Sequence, residues 1–165
     1  MKKVAVIMGS DSDLPVVEGA FGIFEKFGVP YDVFILSAHR TPDEVRTLAS
    51  SARENGYGVL IAAAGMAAHL AGAVAAVTTL PVIGIPVKSG PFEGLDALLS
   101  TVQMPSGIPV ATVAVNGAKN AAILAAEILS VTDGELARGL DGYRREGAAN
   151  VLKKNEEIGS KYRSR

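Results

Sequence analysis

The chain carries two histidines, and both fall where short polar loops interrupt apolar runs: His39 in Ser37-Ala38-His39-Arg40-Thr41 and His69 in Gly65-Met66-Ala67-Ala68-His69. An imidazole titrates near neutral pH, which suits it to give and take a proton within one reaction cycle. Arg40, next to His39, offers a planar guanidinium of the kind that grips a phosphate through paired hydrogen bonds. A third polar segment, Gly9-Ser10-Asp11-Ser12-Asp13, sets hydroxyls and carboxylates just ahead of a helical pattern. That combination suits a sugar phosphate, with hydroxyls and backbone N–H groups for the phosphate and a carboxylate for ribose hydroxyls.

Each feature also has a plainer reading. His39 fits equally a helix-preceding histidine bonded to backbone, and Arg40 an exposed surface charge. His69, set among alanines, reads better as a structural or supporting group satisfied in the core. Asp11 or Asp13 fits an ordinary helix cap. Two further loops, Lys88-Ser89-Gly90-Pro91-Phe92-Glu93 and Asn116-Gly117-Ala118-Lys119-Asn120, complete the set that follows the strand-like runs.

The elements that must position these loops are legible as alternating periods. β-branched or continuous apolar runs predict strands over residues 3–8, 31–36, 59–64, 81–87 and 110–115, and helical spacing predicts helices over 14–27, 67–78, 94–103 and 119–129. A further helix is expected to run to Glu54 from Thr41, with Pro42 in its first turn and Glu44 closing a capping box. Five βα units imply a three-layer αβα sandwich around a mostly parallel five-stranded sheet, flavodoxin-like or Rossmann-like, with ligands outside the carboxyl ends of the strands. Residues 1–131 are expected to form the α/β domain. Residues 132–165 form a charged, glycine-interrupted helical extension of it that packs on a neighbour.

Composition narrows the function classes. Apolar residues make up 48% of the 165 and aromatics 5%, so the core is aliphatic. Sixteen basic against 17 acidic residues leave a formal charge of -1 and no basic block for nucleic acid. With no cysteine there is no thiol nucleophile and no thiolate metal site. Neither Gly-x-Gly-x-x-Gly nor Gly-x-x-x-x-Gly-Lys-Ser/Thr nor His-Glu-x-x-His occurs. The short apolar run after Lys3 is not a membrane span, and a cytoplasmic protein is expected.

Taken in order, Met8-Gly9-Ser10-Asp11-Ser12-Asp13, Ser37-Ala38-His39-Arg40-Thr41-Pro42, Ala67-Ala68-His69-Leu70, Leu80-Pro81-Val82-Ile83-Gly84, Gly94-Leu95-Asp96-Ala97-Leu98-Leu99-Ser100 and Val102-Gln103-Met104-Pro105 resemble the PurE family of de novo purine biosynthesis, over residues 3–131. The resemblance implies a homo-octamer acting on aminoimidazole ribonucleotides and CO2 with no metal or organic cofactor. Ala-Ala-His-Leu after the third strand is similar to the bacterial mutase, which isomerises N5-carboxyaminoimidazole ribonucleotide to the 4-carboxy form through trapped CO2. By the same resemblance His39 is the general acid/base. Ser10, Ser12 and Asp13 meet ribose and phosphate, Ser37 and Arg40 the phosphate, and Gly65, Ala68, His69 and Leu70 wall the base and CO2. The sequence departs from the family at Met66, where many members have glycine, and at Ala71, where they often have proline. Direct carboxylation of aminoimidazole ribonucleotide is the nearest alternative. A non-catalytic flavin- or nucleotide-binding module is another, against which the two acidic residues of the first loop count.

Overall fold

The computed structural model describes residues 1–163. Its elements run β1 (Lys3–Met8), α1 (Leu14–Phe27), β2 (Tyr31–Ile35), α2 (Pro42–Ser51), β3 (Tyr57–Gly65), α3 (Leu70–Ala75), β4 (Val82–Val87), α4 (Leu95–Val102), β5 (Ala111–Thr112), α5 (Ala118–Ser130) and α6 (Gly134–Tyr162). All strands pair in parallel, in the order β2-β1-β3-β4-β5. This is the flavodoxin-like order, and its connections reverse direction between β1 and β3. A crevice opens there at the carboxyl ends.

The period of two along each strand sorts side chains into two cores. Val4, Val6, Met8, Val59, Ile61 and Ala63 face α1, α5 and the start of α6, while Ala5, Ile7, Leu60 and Ala62 face α2 and α3. Helix α5 presents Ala118, Ala121, Ala122, Ala125 and Ala126 inward, and these small side chains let α1 come close. On the other face, Gly84 gives α4 its approach to the sheet. A Cβ at Gly84 would overlap the Thr101 methyl and stand 3.0 Å from Val110 and 3.3 Å from Ala71.

Four expectations change. Thr41 does not cap α2, because its hydroxyl instead accepts from the Ser37 N–H at 2.8 Å and donates to the Ser37 carbonyl at 3.1 Å, closing the loop before the helix. The capping box forms at Ser10 and Asp13. The fifth strand shrinks to two residues at the sheet edge, although the Val113 and Asn116 N–H groups still reach Gly84 and Pro86 of β4. Helices α2 and α3 are shorter than their sequence periods predict. The tail is one continuous helix despite its glycines, N-capped by Asp133 and docked through Leu136, Leu140 and the Phe27–Tyr143 ring contact. Residues 164 and 165 of the expected extension lie outside the described residues.

Candidate active site

The loops after β1, β2 and β3 meet at the crevice where the strand order reverses, and they enclose a cleft of about 360 Å³. The first loop is held rigid by its own polar groups. Ser10 Oγ accepts from the Ser12 N–H, and the Ser10 N–H donates to Asp13 Oδ2 at 3.1 Å. Asp13 is 7% exposed, and burial pushes its carboxyl above the ordinary carboxylate range. The N–H groups of Ser10 and Gly9 and the charge of Arg40 pull in the other direction.

The second loop aims His39 and Arg40. Ser37 Oγ accepts from both their N–H groups at 3.3 Å, a turn that orients the two side chains together. The Arg40 guanidinium reaches across to donate to the Gly9 carbonyl at 2.8 Å, so the charge is tethered over the cleft although Arg40 is exposed. His39 is exposed as well. Its Nε2 stands 2.8 Å from Nδ1 of His69, with the rings nearly perpendicular at 87°. His69 therefore is not a core histidine: it is exposed at the first turn of α3 and bonded to the other imidazole.

The third loop shapes the wall. Gly65 ends β3 against β4, and a Cβ there would collide with Ser89 Oγ, which accepts from the Met66 N–H at 3.1 Å. Met66 follows in the left-handed region at φ 54, a conformation that glycine adopts without strain.

Of the residues singled out by sequence, Ser10, Ser12, Asp13, Ser37, His39, Arg40, Gly65, His69 and Leu70 line the cleft together. Ala68 does not line it and is 1% exposed, packed behind the wall. Ser89 also lines the cleft and had not been singled out. The signal available for it was its place directly after the fourth strand. A larger cavity of about 900 Å³ lies at the opposite ends of the strands near Val82 and Ala111, with Arg53 bonded to Thr79 on its rim and no histidine. Size favours that cavity, but the acid/base and phosphate-binding residue types converge in the smaller one. Among the described residues no three His, Asp or Glu side chains stand together as metal ligands, and no helix is long and apolar enough to cross a membrane.

Comparison with known proteins gives a consistent pattern. A family model described as AIR carboxylase matches residues 3–150. The chain is 54% identical over 158 residues to the N5-carboxyaminoimidazole ribonucleotide mutase of Thermotoga maritima, covering 96% of this chain and 92% of that one. It is 49% identical to the Escherichia coli protein of the same name, covering 96% and 95%. It is also 53% identical over 152 residues to the chloroplastic phosphoribosylaminoimidazole carboxylase of Vigna aconitifolia, covering 92% of this chain and 27% of that longer protein. In structure it superposes on Treponema denticola PurE with a TM-score of 0.85 and 33% identity, covering 98% of both chains.

Proposed function

This chain belongs to the AIR carboxylase family, and from that membership we infer its activity: it is an N5-carboxyaminoimidazole ribonucleotide mutase of purine biosynthesis. The observation that carries the reading to particular residues is the convergence of His39, His69, Arg40 and the capped Ser10–Asp13 loop on one cleft.

In the proposed reaction the carbamate C–N bond breaks, the electron pair stays on nitrogen, and His39 supplies the proton that completes the free amine. CO2 remains enclosed. C4 of the imidazole then attacks it, and His39 takes the C4 proton, so the cycle closes with no net proton change. Keeping CO2 beside the ring replaces an external activation step with proximity. Arg40 and Ser37 receive the phosphate, and Ser10, Ser12 and Asp13 its ribose side. Gly65, His69 and Leu70 wall the base, with Ala68 supporting that wall from behind.

The proposed assembly is a cytoplasmic homo-octamer, as the family resemblance implies. Support comes from apolar side chains that one chain leaves in water: Leu95, Leu99 and Val102 along one face of α4, and Val151, Leu152, Ile158 and Tyr162 on the distal half of α6.

The test is isomerisation of N5-carboxyaminoimidazole ribonucleotide by His39→Asn. Turnover should fall at least a hundredfold in a folded protein, and near-normal turnover would remove His39 from the chemistry. Relatives bearing the carboxylase name keep a second reading open. Aminoimidazole ribonucleotide with bicarbonate, assayed beside the carbamate, separates the two by which substrate supports efficient turnover.

A further inference from the structure

The contact between His39 Nε2 and His69 Nδ1, 2.8 Å long, holds one hydrogen when both rings are neutral. Two arrangements satisfy it. In one, His39 donates its Nε2–H, which leaves His39 Nδ1 bare and places the hydrogen of His69 on Nε2. In the other, His69 donates its Nδ1–H, which forces the hydrogen of His39 onto Nδ1 and leaves His69 Nε2 bare. The contact thus couples the tautomers of the two rings.

These arrangements differ in intrinsic free energy. A neutral histidine in water prefers the hydrogen on Nε2. The first arrangement has both rings in that form and the second has both in the other. Both rings are exposed, and among the described residues no other side chain is bonded to either to reverse the preference. We propose that His69 is a positioning residue that accepts the Nε2–H of His39, fixing its tautomer so that Nδ1 is the working nitrogen. The proposal rests on His39 being the acid/base.

One consequence concerns the proton cycle. With Nδ1 bare in the neutral ring, the proton for the leaving amine comes from the imidazolium form of His39, and its loss returns the ring to the tautomer that His69 holds. The proton from C4 then goes back onto the same nitrogen. A single atom performs both transfers, and Nε2 keeps its hydrogen and its partner throughout.

The experiment is nitrogen-15 spectroscopy of the intact enzyme labelled at histidine. The two histidines per chain give four ring nitrogens to assign. At a pH where both rings are neutral, His39 should show a hydrogen-bearing Nε2 and a bare Nδ1. His69→Leu, which removes the acceptor, should turn His39 into a tautomer mixture and lower kcat by roughly tenfold or more while KM moves less than about threefold. His69→Asn places Oδ1 where Nδ1 stood, so it should restore the single tautomer and most of the lost kcat. A hydrogen on His39 Nδ1 in the unmodified enzyme overturns the proposal without any variant. So does an unchanged His39 spectrum in His69→Leu. If instead His39→Asn is fully active, the failure lies with the assignment of His39 itself.

Discussion

Asp13 lines the cleft with a carboxylate that also accepts the Ser10 N–H, and burial and hydrogen bonding pull its charge in opposite directions. Burial raises its pKa in the folded protein. A raised carboxyl stabilises the fold below the unfolded value near 3.8 and loses that contribution as pH rises through the folded pKa, so at neutral pH its charge works against folding. Asp13→Asn keeps an oxygen for the Ser10 N–H without the charge. We expect its thermal midpoint at pH 7 to be no lower than that of the parent, while turnover drops about tenfold or more if the carboxylate meets ribose. A midpoint lower by several degrees would show that the N–H donors and Arg40 outweigh burial. At this scale much was legible, because His39, Arg40, Ser37 and the serine-rich loop are polar groups placed directly after apolar runs. The pairing of the two imidazoles was not, since residues 30 positions apart meet through sheet topology that no local pattern encodes. Ser89 escaped for a similar reason: its role is to meet Gly65 across two strands.

Among the elements, β1 and α1 match their sequence periods, and the misreadings concentrate where a side chain had two possible partners. Thr41 looked like a cap and became a loop clasp. The run from 110 to 115 looked like a full strand, but at the sheet edge with Pro109 before it and a turn at Gly117 it pairs regularly over two residues. Helix α4 rests on the sheet because Gly84 has no side chain. We expect Gly84→Ala to destabilise the protein by about 1–3 kcal/mol, read as a lower urea midpoint with unchanged slope. Adding Thr101→Ser removes the methyl that the new Cβ would strike and should recover part of the loss. Strict additivity of the two changes would mean that the cost of the new Cβ comes from its contacts with Val110 or Ala71 instead.

For the molecule as a whole, α6 is the part that one chain does not explain. At 29 residues it extends about 43 Å, yet its buried side chains, Leu136 and Leu140, lie in the first two turns. Deleting residues 147–165 should leave the isolated fold intact, and light scattering should report a smaller assembly than the full chain forms. An unchanged mass would mean that the distal half of α6 has no part in association. The three-layer architecture was legible as alternating periods, whereas the reach of the tail was hidden by glycines that suggested interruption. The cleft carries a last consequence. All its lining residues lie between Gly9 and Ser89, whereas the layer on the α1 side of the sheet stays half-built until Ala118–Leu129 joins α1 there. A ribosome would therefore deliver every chemical group of the site well before the layer that holds those groups in register. Competence would arrive late in synthesis, with α5 rather than with the histidines.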